Sequence, residues 1–389
     1  MPGLKANKQA EELAMSDTVK LSLRQFTILI LLYSVGTTIL VIPAPLAADA
    51  RQDAWLAAIA GWLLGLVVVA LYVSLARLFP GMTFTAFLEL TFGKWLGKLL
   101  ALPFIFFSFI GSSIVLYYLG NFMTTEIMPE TPIEAFALLF AALLVMGLRL
   151  GLEVLARTAE ILFPWFILLF TVLALFLTPE IDSQKVLPIL EFGMKPIIWP
   201  ALNFACTASL PLYVFLMVYP VSFQHKKKAG NAFFTGVLIG GIFVVIVTFL
   251  SITILGVELS AENLYPSYAL AKKINIGNFI QRVEILMAGM WFLTIFFKAA
   301  FYAYGFITGI AQLCGCKDYR PLVLPCGMII VASSFVVYPS VAAMSEFEST
   351  VYIPFAITVG FLLPLLIYMA GLVKKRINHQ ELQGAGTDD

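Results

Sequence analysis

Charged side chains are scarce in this chain of 389 residues. Asp, Glu, Lys and Arg make up 12% of the residues and the net charge is +1, whereas about 25% of an ordinary soluble domain is charged. So few charges, nearly balanced in sign, exclude a basic surface that binds nucleic acid.

Histidine and cysteine are also too sparse to build a catalytic or metal site. The two histidines, His225 and His379, lie in basic segments outside the apolar runs. Neither a Ser-His-Asp triad nor a histidine metal site can therefore be placed within a membrane. Cys314 and Cys316 lie close together, but no second cysteine pair has metal-ligand spacing, which predicts reduced thiols. We expect no enzymatic activity, no metal and no cofactor.

Apolar residues instead dominate the chain, at 61% of its length. Segment after segment exceeds the roughly 20 apolar residues that cross a bilayer. The sequence thus predicts an all-α polytopic membrane protein with about ten transmembrane helices. The transmembrane domain is placed at 21–373, between a cytoplasmic N-terminal segment, 1–20, and a cytoplasmic tail, 374–389. The predicted spans 1 to 10 are 22–47, 54–78, 99–125, 132–148, 153–177, 196–219, 230–256, 280–313, 321–340 and 349–373.

The segments around the spans refine this topology. Residues 82–98 carry charges on a Phe, Leu and Trp background, which is typical of a short helix on the membrane surface. Span 8 is too long for one perpendicular crossing, so it is either tilted or contains an interfacial turn near Gly277 and Asn278. Most of the 24 lysines and arginines fall on one side of the predicted membrane. This asymmetry predicts that both termini are cytoplasmic.

Spans 1 and 6 are interrupted in corresponding places. Small polar residues and glycine break span 1 at Ser34–Thr38, ahead of Pro43, and a similar stretch, Asn203–Pro211, breaks span 6. Backbone groups freed inside a membrane must be paired by protein, water or a ligand, so these breaks predict a solute-binding site. Five spans in each half place the halves in opposite orientations. Spans 1–5 and 6–10 would then form a 5+5 inverted repeat around that site, although the residues themselves show no repeat.

Lys298 is a single charge deep within span 8. It lies 16 residues after Arg282, which is roughly 24 Å along a helix and too far for the side chain to reach that interface. A lysine at this depth marks a functional site by default. The alternative is a structural lysine that holds helix ends together.

Two other polar features each have a functional and a structural interpretation. At the start of span 5, Arg149, Glu153, Arg157 and Glu160 alternate in sign, and Glu153 and Arg157 lie four residues apart on one helical face. They form either an ion-paired helix end or an intracellular gate or partner contact. Tyr117 and Tyr118, in span 3, either pack in the core or contribute a tyrosine to the lining of the pocket.

Several motifs follow one another in a specific order over about residues 21–373. They are Ser22-Leu23-Arg24-Gln25-Phe26, Phe92-Gly93-Lys94-Trp95-Leu96-Gly97-Lys98, Gly151-Leu152-Glu153-Val154-Leu155-Ala156-Arg157-Thr158-Ala159-Glu160, Val186-Leu187-Pro188-Ile189-Leu190-Glu191-Phe192-Gly193, Tyr265-Pro266, Arg282-Val283-Glu284 and Trp291. In these motifs the chain resembles the B-subunit permeases of endospore germinant receptors. The resemblance implies membership of the amino acid–polyamine–organocation superfamily.

The resemblance also implies a LeuT-like core, in which the breaks of spans 1 and 6 face spans 3 and 8. Half-helix N-termini there would hold a carboxylate and freed carbonyls an ammonium, which favours an amino acid as the ligand. No carboxylate lies in either break, so obligatory sodium coupling is not expected. The candidate ligand-binding residues are Gly36, Thr37, Thr38, Tyr117, Asn203, Thr207, Ser209, Trp291 and Lys298.

The same resemblance implies a role in sensing a small nutrient at the inner spore membrane, alongside an A subunit and a lipoprotein C subunit. Ligand binding would signal germination by shifting the population between two states of the protein. The alternative function is a proton-coupled amino acid permease in which Lys298 relays protons. Membrane lipid surrounds the spans in either case.

Overall fold

The computed structural model describes residues 21–223, 226–273 and 283–384 of the chain. The N-terminal segment, His225, the turn predicted near Gly277 and Asn278, and Arg282 lie outside the described residues. Within the described part, the chain forms helices joined by turns, with no β-strand.

Nine helices of the described part are long and apolar enough to cross a membrane. They correspond to every predicted span except span 9, where the helix Arg320–Ser334 has only 15 residues. The nine are Leu23–Val41, Pro43–Ala76, Lys94–Ile127, Ile133–Leu150, Leu152–Glu180, Lys195–Met217, Lys228–Ile254, Glu284–Cys314 and Val341–Ile377. The protein is therefore an integral, multi-pass membrane protein.

Span 1 is broken where the sequence predicted. Ser22 caps its first helix, Leu23–Val35, and forms a capping box with Gln25. The chain then turns at Gly36 and continues as Thr38–Val41 and Pro43–Ala50. The break thus lies at the centre of the span.

Span 6 breaks later than predicted. The helix Lys195–Ala208 runs through Asn203 without interruption, and the chain then narrows to a 3₁₀-helix over Leu210–Met217. Pro211 explains this limit, because proline has no N–H to continue the α-helical hydrogen bonds. Thr207 does not break the helix because its hydroxyl donates to the Asn203 carbonyl, 3.0 Å away.

Span 10 contains two widened turns. It runs as Val341–Phe347, a π-helical turn at Glu348–Tyr352, Ile353–Ile357, a second π-helical turn, and a final helix, Leu363–Gly384. Pro354 follows the first turn and Pro364 the second, and a residue without an N–H favours such a local departure. π-Helical turns are frequent at functional sites.

The segment between spans 2 and 3 contains the predicted short helix. Thr83 caps the helix Phe84–Phe92, which ends at Gly93 with φ 88°. This backbone conformation favours glycine. The helix packs back onto the start of span 3. Its position at a membrane surface stays a prediction.

The two broken spans lie at the centre of the bundle. In their most apolar stretches, 78% of the span 1 residues and 83% of the span 6 residues are buried, against 22% for span 5. Span 1 packs on spans 7 and 8, span 6 on span 2, and span 8 on span 3. Gly65 allows the approach of span 6, since a Cβ atom there would lie 2.1 Å from Ser209 Oγ. The breaks are therefore enclosed by protein.

Candidate functional site

A cavity of about 480 Å³ lies beside the break of span 1. Its wall is built from spans 1, 3, 6, 8 and 10 and from the connection Ala261–Leu264. Glu262 in that connection is exposed, so the cavity extends to the end of the bundle on that side. A volume of this size lies within the range of small-molecule sites.

Lys298 reaches the cavity at the break of span 1. Its side chain is only 2% exposed, and Nζ donates to Thr37 Oγ1 at 2.9 Å and to Thr38 Oγ1 at 3.3 Å. Nζ also lies 5.6 Å from the centre of the Tyr33 ring. An ammonium has three N–H groups, so a third donor remains for water or a ligand in the cavity.

Gly36 makes room for this lysine. A Cβ atom on Gly36 would lie 2.4 Å from Lys298 Cδ and 2.8 Å from the Tyr33 carbonyl oxygen. Any larger residue at position 36 must displace the lysine stem. Gly36 therefore acts behind the cavity wall and does not line it.

Several backbone carbonyls at the two breaks have protein donors. At the break of span 1, the Ser267 hydroxyl donates to the Ile39 carbonyl at 2.6 Å. The single hydroxyl proton of Thr294 has a nearer acceptor in the Trp291 carbonyl, at 3.0 Å, than in the Gly36 carbonyl, at 3.4 Å. In span 6, Tyr33 donates to the Pro211 carbonyl at 3.1 Å, and the Tyr72 hydroxyl lies 2.6 Å from the Leu210 carbonyl. These donors replace the lost helical hydrogen bonds. The Ile39 and Pro211 carbonyls are therefore already paired, while the Gly36 carbonyl keeps acceptor capacity.

The structure brings four of the predicted ligand-binding residues to the cavity wall. They are Thr37, Asn203, Thr207 and Lys298. Thr38 joins them indirectly, because its hydroxyl accepts a hydrogen bond from Lys298.

Three other predicted residues lie away from the cavity wall. The Tyr117 ring packs on Tyr338 with ring centroids 5.1 Å apart. The next residue in the helix, Tyr118, lines the cavity instead. Ser209 is buried against Gly65. Trp291 lies two helical turns from Lys298 and packs on Phe122, with ring centroids 4.7 Å apart. Ser209 and Trp291 are buried and Tyr117 is half-buried, and none of the three lines the cavity.

The acidic residue of the site, Glu348, was not predicted from the sequence. Glu348 lines the cavity together with Tyr118, Tyr302 and Tyr352, and it accepts a hydrogen bond from the Tyr118 hydroxyl. The prediction started span 10 one residue later and so left Glu348 outside the membrane. The available signal was Ser340, a favoured N-cap residue, which caps a helix that begins at Val341 and therefore includes the segment before Glu348.

Aromatic side chains close the bundle on the other side of the break. The Phe26 ring lies 5.8 Å from those of Phe215 and Phe233, and Phe215 lies 4.4 Å from Phe301. These residues belong to spans 1, 6, 7 and 8, so their rings pack these four spans together on this side of the break.

One of the predicted gate residues connects spans 1 and 5 on this closed side. Glu160 lies 3.3 Å from Arg24 Nε and 3.2 Å from Gln25 Nε2. Arg157 and Glu153 are exposed on the same helix. The gate function of the three residues stays a prediction. No group of three or more His, Cys, Asp or Glu side chains that could hold a metal ion occurs among the residues described.

Comparisons with known proteins identify a matching protein family and solved structures with a similar fold. Residues 20–342 match the sequence model of a family described as spore germination protein. The chain is 24% identical over 368 residues to spore germination protein KB of Bacillus subtilis (strain 168), covering 92% of this chain and 96% of that protein. It is 25% identical over 257 residues to spore germination protein XB of Bacillus anthracis, covering 64% of this chain and 68% of that protein.

Two solved transporter structures share the fold. MhsT in complex with L-phenylalanine superposes with a TM-score of 0.62 and 14% identity, over 91% of this chain and 98% of that one. Mhp1, a nucleobase-cation-symport-1 family transporter, superposes with a TM-score of 0.60 and 11% identity, over 90% of this chain and 89% of that one. The predicted LeuT-like fold, with its 5+5 inverted repeat and broken spans 1 and 6, is thereby confirmed.

Proposed function

The chain belongs to the spore germination protein family, and from this premise we propose that it is the nutrient-sensing subunit of a spore germinant receptor. In this proposal the transporter fold binds an amino acid and signals germination. The protein lies in the inner spore membrane with both termini cytoplasmic, alongside an A subunit and a C lipoprotein subunit.

The observation that carries the proposal is the position of Lys298 beside the broken span 1. A buried ammonium with a spare donor, next to a cavity of about 480 Å³, suits the carboxylate of an amino acid. Thr37, Asn203 and Thr207 add hydroxyl and amide groups on the same wall. Two of the five spans around the cavity are interrupted, so a solute there contacts segments whose backbone is not fixed by regular helical hydrogen bonds.

Signalling requires that the amino acid bind one state of the protein more tightly than another. The cavity wall includes the exposed Glu262, and aromatic rings pack together near Phe26 and Phe215 on the other side of the break. The Arg24–Glu160 pair lies on the closed side. Binding between spans 1, 6 and 10 would shift these contacts and thereby the surface presented to the A subunit.

Germination assays test the proposal directly. In spores that lack their own copy of the gene, the chain should restore the response to an amino acid, and Asn203→Ala should reduce sensitivity to that amino acid without reducing protein abundance. Asn231→Ala is a matched control, because Asn231 is exposed on span 7. An unchanged dose–response curve for Asn203→Ala would place the ligand elsewhere.

The second candidate is a proton-coupled amino acid permease. It is favoured by the ionisable Lys298 and Glu348 on the cavity wall of a transporter fold, since such groups commonly serve as proton relays in membranes. Purified protein in liposomes distinguishes the two functions. Accumulation of labelled amino acid driven by a proton gradient favours the permease, whereas saturable binding without flux favours the receptor.

A further inference from the structure

Glu348 brings a carboxylate to the cavity wall at the first π-helical turn of span 10. The turn Glu348–Tyr352 widens the helix just before Pro354. Met344, Ser345, Glu348, Ser349 and Tyr352 all line the cavity, and their spacing of three and four residues places them on one helical face. Span 10 thus contributes a continuous part of the wall, with the carboxylate at its centre.

Among the residues that the structure describes, one side chain donates to the carboxylate of Glu348. The Tyr118 hydroxyl donates to it, and no lysine or arginine of the described segments lies within ion-pair distance of it. A carboxylate offers about four acceptor positions. Glu348 is half-buried, and a partly desolvated charge without a counter-charge is unfavourable. The site therefore favours a cation from outside the protein.

The surroundings of Glu348 also suit a cation. Tyr118, Tyr302 and Tyr352 line the same cavity, and tyrosine rings have negative faces that attract ammonium groups within about 6 Å. Glu262, the other acid on the wall, is exposed at the mouth. Solvent and salt screen the attraction of a cation to such an exposed group.

Lys298 and Glu348 give the cavity two opposite charges on different spans. Lys298 belongs to span 8 and is held at the break of span 1 by Thr37 and Thr38. The Ile39 and Pro211 carbonyls of the two breaks accept hydrogen bonds from protein hydroxyls. Glu348 carries a full negative charge on the cavity wall, which makes it the stronger acceptor for a positive group.

We propose that Glu348 is the subsite for the ammonium group of the bound amino acid, while the carboxylate of the ligand faces Lys298. This inference rests on the proposed function and adds the residue that selects for the cationic end. The site then requires both ends of a zwitterion, and a compound that lacks either end binds more weakly.

Binding to the purified full-length protein tests the subsite. The probes are the twenty common L-amino acids and, for each, the deaminated carboxylic acid and the decarboxylated amine, measured by thermal stabilisation across a concentration series. Glu348→Gln should weaken the binding of amino acids and amines roughly tenfold or more, since a charged hydrogen-bond partner is lost. It should leave the deaminated acids within about twofold. Glu346→Gln, on the exposed face of the same helix, should change none of the three classes.

The outcomes separate this inference from the proposed function. Equal weakening of acids and amines by Glu348→Gln, or no weakening at all, would overturn the ammonium subsite while leaving amino-acid binding intact. If amines but no amino acids stabilise the wild type, amino-acid sensing fails and the cation subsite stands. If neither class binds the wild type, both fail. If Glu348→Gln does not fold, Glu348→Asp is used instead, because it keeps the carboxylate but withdraws it by one methylene. It should weaken the binding of amino acids and amines less than expected for Glu348→Gln, and again leave the binding of the deaminated acids unchanged.

Discussion

Replacing Lys298 by methionine separates a functional lysine from a structural one. The change keeps the length and apolar stem of the side chain but removes the ammonium that donates to Thr37 and Thr38 at 2.9 and 3.3 Å. Hydrogen bonds from a charged group contribute about 1.5–3 kcal/mol each. Against this loss, a mid-helix lysine costs roughly 2.5–3.5 kcal/mol on membrane insertion scales. The two hydrogen bonds together contribute about 3–6 kcal/mol, so the insertion cost offsets a large part of their loss, and we expect a net destabilisation of no more than about 3.5 kcal/mol.

Ligand binding has no such compensation. If the third N–H of Lys298 donates to the carboxylate of the ligand, its loss costs about 1.5–3 kcal/mol, which corresponds to roughly 10- to 100-fold in affinity. The assay compares the thermal stability and abundance of the variant in detergent with its amino-acid affinity and germination response. Lys273→Met, on an exposed connection, is the control. Full affinity and response in Lys298→Met would refute the functional role, and failure to accumulate in the membrane would favour a structural one.

Three further predictions concern other parts of the site and the membrane topology. Gly36→Ala should displace the Lys298 stem and weaken the nutrient response. Gly289→Ala, whose new Cβ would meet nothing within 4 Å, is the control and should leave response and abundance unchanged. Equal effects of the two changes would contradict the close approach of Lys298 to Gly36. Thr207→Val should weaken the nutrient response at normal protein abundance. Ser209→Leu should mainly reduce protein abundance, because Ser209 is packed against Gly65. Immunoblots measure the abundance and dose–response curves the response, and the reverse pattern would contradict the assignment of Thr207 to the ligand-binding cavity. The exposed thiols of Cys314 and Cys316 should react with an impermeant maleimide in inside-out vesicles but not in intact cells; labelling from outside would reverse the predicted orientation.

The two breaks show what local sequence can predict. Glycine, proline and small polar residues act on the backbone of their own segment, so the sequence placed the break of span 1 at Gly36 and Thr37 correctly. In span 6 it placed the start too early, because Asn203 and Thr207 satisfy their polar groups within the helix. Only Pro211 ends the helical hydrogen bonds.

Lys298 shows where sequence and structure each contributed. Its depth within an apolar run is a property of the sequence, and that depth was sufficient to predict that it needs polar partners. The identity of those partners, Thr37 and Thr38, depends on how span 8 packs on span 1, since these residues are about 260 positions apart in the chain.

By itself the sequence determined the membrane class, the approximate spans and the two interruptions, because hydrophobic length and backbone chemistry are local. Only the tertiary structure decided which side chains share the cavity. Helix rotation turned Tyr118 to the wall and Tyr117 away, and span 10 supplied Glu348. Such choices depend on the packing of side chains between spans distant in the chain, which no single segment encodes.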